Sequence, residues 1–563
     1  ATCSVSQKRI RDMSTPVTMV KATDDKDDSP DLGLIEHLLS SPERDEVPVI
    51  VHPTSKNRTS ATSDPNSGLH DSGMLLEPLV IDESSWEHGK AQGPSCRNWV
   101  WAVLFLVHLF VTLTLAIMAI IALANGEPPV PDSIPFDFPV SDSFLFLVVT
   151  IIGIAILSAL VILLLLGPLA DMMIQLSLVI SPIFWGLMSL IALMLGQIGA
   201  ALFLAMFSIF GICYAVSIWH RIPMATANLA VALAAIHANK GLLGMAYLTT
   251  LIDTVWTLLW SLALVEVSVL HYEWIMDCNS KDNSHTTVSS DTDEECHLTS
   301  QGKWILIGLL FSLYWTCQVI SNVFHTTVVG VVGTFWFAPS ENSRGCCNVT
   351  IYDAWVRSSV YSFGTICLGS LLVAVLKVLQ FLVKLARRQN EDNERRRHQR
   401  QHGSILWCLL EFLVDHLEKL LEYINAWAFV YVGLYGYEYW TAGHKVYQLF
   451  QARGWSVILN DNLTSRSLGM MQFLIGLLSG ALAVILGLAF FGLHLHPMAT
   501  FILGVFLGAR LSSIQFQVVT SAVETVVVCF AEAPSALVQN HPSELSNRMI
   551  RSWRAAYPNE CGF

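Results

Sequence analysis

The chain has 563 residues, of which 53% are hydrophobic and only 14% charged, against about 45–50% and about 25% in soluble domains. That surplus of apolar side chains excludes an ordinary soluble fold. The formal charge of −13 resides mainly in the polar tail and loops, so it marks solvation and argues against a nucleic-acid partner. Twelve cysteines are scattered without CxxC spacing, and neither a metal site nor a cofactor is expected.

Residues 1–95 are rich in Ser, Thr, Asp and Pro, with Asp24, Asp25, Asp27 and Asp28 close together; such low hydrophobicity cannot offset chain entropy, and a disordered acidic tail is expected. The first residue is Ala1 and no signal-peptide pattern opens the chain, so a start upstream of Ala1 or processing is expected. Apolar runs then follow at 98–124, 143–166, 172–192, 196–218, 244–270, 303–337, 358–386, 424–440, 468–492 and 497–529. A helix needs about 20 apolar residues to cross the hydrocarbon core. The runs therefore predict an all-α, multi-pass transmembrane bundle of about ten helices. Barrel strands would alternate and be short.

Gly167-Pro168 with Asp171, and Gly196 with Gln197, predict tight hairpins joining the second, third and fourth helices. The 303–337 run exceeds one span, so it is either strongly tilted or broken near His325. The 424–440 run is short and aromatic. Lys and Arg favour the cytosolic side of short loops, yet His220, Arg221 and Lys240 are separated by three runs from the Arg387 to Arg400 cluster. An odd number of crossings sets the two basic loops on opposite sides. With ten crossings both termini share one side, expected to be the cytosol.

Four blocks are more specific. They are Val319-Ile320-Ser321-Asn322-Val323-Phe324-His325-Thr326-Thr327 running to Gly333-Thr334-Phe335-Trp336-Phe337; Tyr361-Ser362-Phe363-Gly364-Thr365-Ile366-Cys367-Leu368-Gly369-Ser370; Arg221-Ile222-Pro223-Met224-Ala225-Thr226-Ala227-Asn228-Leu229; and Asn425-Ala426-Trp427-Ala428-Phe429 through Tyr435-Gly436 and Ala442-Gly443. Their order and content resemble the choline transporter-like family, most of all its fungal pH-nine-sensitive branch. The segment from Glu524-Thr525 to Cys529-Phe530-Ala531-Glu532 resembles a further family block with altered acids. Residues 125–142 are short where animal members carry a long loop. The resemblance implies a membrane domain over 96–532, flanked by a polar C-terminal tail at 533–563. It also implies residence in the plasma membrane and carriage of choline or a related organic cation, although the fungal branch leaves the substrate open.

A permanent cation cannot be neutralised by losing a proton, so its site must offer ring faces, a carboxylate, or both; cation–π contact contributes roughly 0.5–2 kcal/mol per ring. Asp253 and Trp256 lie three residues apart on one helical face, with Trp260 beyond. Tyr314 and Trp315 precede Asn322 and His325. Asp253 and Glu524 stand inside apolar runs, where ionised groups are costly and usually functional. These residues form the candidate substrate site: Asp253, Trp256, Tyr314, Trp315, Asn322 and Glu524. Against this, any one aromatic is as readily an interfacial anchor, and Asp253 could pair with a neighbouring helix. His108 reads as a core histidine, and His325 as either a kink-satisfying group or a gate. Gly330, Gly333, Gly364 and Gly369 read as close helix contacts.

No GxSxG, HExxH or Walker A pattern is present, so an enzyme is not expected. A non-transporting scaffold or lipid-interacting protein is the competing function. Cys278 and Cys296 bracket a polar loop and are expected to form a disulfide in an oxidising compartment. Asn348 and Asn462 head NxT sequons.

Overall fold

The computed structural model describes residues 89–125, 142–267, 276–278, 296–338, 349–397, 404–452, 463–490, 497–541 and 544–556. The long apolar runs become helices because hydrocarbon leaves no partner for backbone N–H and C=O groups outside the helix itself. They are α1 (Trp99–Ala124), α2 (Asp142–Met194), α3 (Ile198–Ile218), α4 (Ile222–Ala238), α5 (Gly241–Val265), α6 (Ser300–Phe337) and α7 (Val349–Val356). After them come α8 (Phe363–Arg397), α9 (Ser404–Tyr435), α10 (Tyr439–Ala452), α11 (Leu463–Phe490), α12 (Pro497–Glu532), α13 (Pro534–Asn540) and α14 (Glu544–Ala556). Eight of the described segments are long and apolar enough to cross a bilayer, and Val149–Leu164 is a shorter apolar stretch. The multi-pass α-helical class is as the sequence predicts.

Contacts fix the direction of each helix. α2 folds back at Leu169, which leaves helical dihedrals (φ −115°, ψ 17°) directly after Pro168. Ile151 of its first arm clusters with Ala483 of α11, whereas in the second arm Ser177 Oγ donates to Ser467 Oγ at 2.8 Å and Phe184 meets Phe473. The arms therefore run in opposite directions along α11. Gly196, at φ +74°, makes the next turn; Ser189 Oγ donates to Ala201 O and Ser208 Oγ to Pro182 O across the resulting hairpin. Both predicted hairpins form.

α1 starts beside α8, where Asn98 Nδ2 donates to Thr365 Oγ1 at 3.3 Å, and its other half clusters Ala116 with Ala263 of α5 and Leu309 of α6. α6 then descends until Trp336 Nε1 donates to Ala533 O at 3.0 Å. Among the described residues ten segments run between the two ends of the bundle: α1, the two arms of α2, α3, α5, α6, α8, α9, α11 and α12. The start of α1 and the finish of α12 share one end of the bundle, hereafter the termini end. α4 lies buried at that end, its Asn228 Oδ1 accepting from Trp553 Nε1 of α14 at 2.8 Å.

Two readings left open by the sequence are resolved. α6 is continuous across His325, 38 residues from Ser300 to Phe337, so no break relieves its length. The 424–440 run belongs to a 32-residue helix that begins at Ser404. Its first half was hidden by Glu411, Asp415, Glu418 and Glu422, which lower hydropathy, yet three of them find partners on α8: Lys377 Nζ to Glu422 Oε1 at 2.7 Å, Gln380 Nε2 to Asp415 Oδ1 at 2.6 Å, and Arg387 to Glu411. This pairing also puts Arg387 at the end opposite His220 and Arg221. One basic cluster thus departs from the positive-inside pattern whichever end is cytosolic.

The glycines act as close contacts. A Cβ at Gly504 would stand 2.8 Å from Gly480 Cα where α11 crosses α12, and one at Gly369 would stand 2.7 Å from Phe429 Cζ. Between α5 and α6, strands β1 (Met276–Cys278) and β2 (Cys296–Leu298) pair antiparallel with Cys278 opposite Cys296. Residues 1–88, Asn348 and Asn462 lie outside the described residues, but Val349 and Leu463, the middle residues of the two sequons, open helices at the termini end.

If the end opposite the termini faces an oxidising compartment, non-reducing peptide mapping will yield a Cys278–Cys296 linked peptide, and glycopeptide mass spectrometry will find Asn348 and Asn462 both bare. Free thiols at both cysteines, or a glycan on one asparagine alone, would contradict this arrangement.

Candidate functional site

Asp253 of α5 is buried, with 4% of its surface exposed. Arg510 Nη2 of α12 donates to its Oδ1 at 2.9 Å, and Cys317 of α6 adjoins both groups. The charge is therefore matched across three helices, as a buried carboxylate requires. Trp256, one turn along α5, is buried, and its indole Nε1 has no hydrogen-bond partner among the described residues. The pair expected to hold a ligand thus divides into an ion-paired acid and a packed indole with one idle donor.

The aromatic pair on α6 is engaged in packing. Trp315 is 1% exposed, stacks on His108 at 4.7 Å, meets Phe105 edge-on at 5.2 Å, and donates from Nε1 to Cys367 O at 3.0 Å. Tyr314 lines the same α1–α6–α8 cluster. His108 takes the core role foreseen for it, with Nε2 3.0 Å from Ser312 Oγ and Nδ1 2.8 Å from Phe105 O.

A second polar layer lies nearer the termini end, where α6, α8, α9 and α12 meet. Asn322 Nδ2 donates to Ser370 Oγ at 2.9 Å. His325 places Nδ1 2.7 Å from Ser521 Oγ and Nε2 3.3 Å from Ala426 O. Gln517 Nε2 donates to Ser321 O and Oγ. These contacts join residues as much as 196 positions apart in the chain, as between Ser321 and Gln517. Their meeting point is Glu524.

Glu524 is 9% exposed. Its Oε2 stands 3.7 Å from His325 Nδ1, and among the described residues neither Lys nor Arg forms an ion pair with it. Tyr423 of α9 lies close enough to sense its charge, and the Tyr423 and Trp427 rings stand 6.1 Å apart. Phe429 lies 6.5 Å from the His325 ring. An acid without a fixed cation, bordered by ring faces, is the combination that a cationic ligand completes. Asn425 adds a buried Oδ1 with no hydrogen-bond partner among the described residues.

A family signature described as plasma-membrane choline transporter matches residues 202–535, more than half of the chain and every helix of this polar layer. The chain belongs to the choline transporter-like family. Among its relatives, a CTL-like protein of Dictyostelium discoideum is 25% identical over 347 residues, 62% of this chain and 56% of the relative. Protein PNS1 of Mycosarcoma maydis is 33% identical over 181 residues, 32% of each chain, and Protein PNS1 of Saccharomyces cerevisiae is 27% identical over 252 residues, 45% of this chain and 44% of the relative. The chain spans about half the length, or less, of these relatives: 56% of the Dictyostelium protein, 32% of the Mycosarcoma protein and 44% of the Saccharomyces protein.

Within this choline transporter-like chain, sequence reading found Glu524, Asn322 and His325 but passed over Arg510, Tyr423 and Ser521. A lone Arg inside the 497–529 run was the available signal for Arg510; nothing local marked Tyr423 or Ser521. Removing one partner of the Asp253–Arg510 pair is expected to destabilise the protein by on the order of 1–3 kcal/mol, discounted because Arg510 is partly exposed. Thermal unfolding of Asp253→Asn, Arg510→Gln and the double variant checks this. The double variant should lose less than the sum of the singles; strict additivity would show the two groups to be independent.

Proposed function

We propose that the protein carries choline or a related organic cation across the plasma membrane by a carrier mechanism, with both termini in the cytosol. The observation that supports this most is Glu524, a carboxylate buried in the membrane bundle with no fixed Lys or Arg counterion among the described residues. A quaternary ammonium leaving water loses hydration that a carboxylate and aromatic faces partly replace. Tyr423 and Trp427 supply the faces, while His325 and Asn425 supply polar edges. Asn322 positions the layer through Ser370. Asp253 and Trp256, one helix away, belong in this reading to the scaffold that sets α5 against α12, and Tyr314 and Trp315 to the packing that holds α6 on α1.

Membership of the family favours carriage over a scaffold or lipid-interacting role, and the relatives' names carry the choline assignment no further than a proposal. The substrate is moved without chemical change.

Uptake of labelled choline into vesicles containing the purified protein tests the reading. Glu524→Gln, confirmed as folded by size-exclusion chromatography, should raise the KM for choline about ten- to hundredfold, equivalent to roughly 1–3 kcal/mol. Tyr423→Phe should cost less than Tyr423→Ala, because a ring face survives. Absence of uptake across several quaternary amines by the unmodified protein would favour the scaffold role, and unaltered kinetics in Glu524→Gln would move the site elsewhere.

A further inference from the structure

The segment before α1 is tied to the termini end by its backbone. Gly89 N–H donates to Glu532 Oε1 at 2.6 Å. Lys90 N–H donates to Tyr437 Oη at 3.0 Å, and Gln92 N–H to Tyr435 O at 2.8 Å. Arg97 N–H then reaches Tyr361 O at 3.3 Å, and Asn98 reaches Thr365. Residues 89–98 therefore bridge the last turn of α12, the last turn of α9 and the first turn of α8. Those three helices carry Glu524, Tyr423 with Trp427, and Ser370.

The bridge is built to fit. Glu532 is fully buried, and a backbone donor to a buried carboxylate is a charge-assisted bond, stronger than a neutral one. Any Cβ at position 89 would stand 2.7 Å from Tyr435 Cζ, so only glycine lets the chain pass. Gly93, by contrast, has open space around it. Glu532 lies eight residues beyond Glu524 on the same helix, about 12 Å at ~1.5 Å per residue. Between them sits Cys529, a free thiol with no exposed surface, against Tyr431 and Tyr435.

Cys96 is disulfide-bonded, which anchors the α1 side of the strap, and we propose that residues 89–92 ahead of it form the gate at the termini end, with Glu532 as the positioning residue that holds it shut. While residues 89–92 are seated, the ends of α9 and α12 cannot part, and the Glu524 layer is closed to that side. A carrier that opens to one side at a time must unseat such a bridge in each cycle. The proposal rests on the carrier reading for its purpose, but its test needs no substrate, so the two fail separately.

The experiment is thiol labelling of the full-length purified protein by a small maleimide, followed site by site with peptide mass spectrometry. Cys529 reports opening of the termini end. Cys367, buried in the α1–α6–α8 aromatic cluster, reports general unfolding. In Gly89→Val, and to a lesser degree in Glu532→Gln, Cys529 should label at least tenfold faster than in the unmodified protein while Cys367 stays protected; Gly93→Val should match the unmodified protein at both sites. Unchanged Cys529 labelling in Gly89→Val would overturn the gate. A parallel rise at Cys529 and Cys367 would overturn it too, by showing the strap to be a brace for the whole fold.

Discussion

Hydrocarbon offers an ionised carboxylate neither water nor counterion, so each acid inside the bundle must be answered by the protein or by something the protein binds. Three acids on two helices show three answers. Asp253 is met by Arg510. Glu532 receives a backbone N–H from Gly89. Among the described residues, Glu524 is met by His325 alone, at 3.7 Å, together with neighbouring rings. The functional reading follows from that inequality, because a site for a cation is a place where the protein has withheld its own.

The same constraint shapes the scaffold. α9 carries an acidic stripe that would be unstable in lipid alone, and α8 answers it with Lys377, Gln380 and Arg387. Such a paired hairpin is rigid at the end away from the termini. At the termini end the bundle is held by hydrogen bonds from backbone and side chains: residues 89–92, and His541 and Asn540, which reach the carbonyls of Phe335 and Trp336. α12 links the two regions, since Arg510, Ser521, Glu524 and Glu532 all project from it. Its crossing with α11 on Gly480 and Gly504 leaves the backbones close enough to move as one unit.

Most of the architecture was legible in the sequence because the bilayer enforces it locally. A run of apolar residues needs no distant information to become a helix, and Pro168 or Gly196 breaks it where it stands. α9 was underestimated for the complementary reason: its acids are tolerable only because of partners on α8, and a hydropathy run cannot see a partner. Asp253 illustrates the limit more sharply. The sequence marked it as an acid that needs a reason, but the reason, Arg510, is 257 positions away. Trp315 likewise looked like a ligand-facing ring until His108 and Phe105 were found against it. Glu524 and Asn322 were recognisable from type and context; that they share one layer was not, since their proximity is set by how α6, α8, α9 and α12 cross.

The central claim is that Glu524 recognises positive charge, and binding to the purified protein tests it most directly. Choline and its uncharged carbon isostere, 3,3-dimethylbutan-1-ol, have nearly the same shape and differ in charge. Isothermal titration should show the protein binding choline well above the isostere, with that preference largely lost in folded Glu524→Gln. Equal binding of the two ligands by the unmodified protein, or a full preference for choline surviving in Glu524→Gln, would contradict the account.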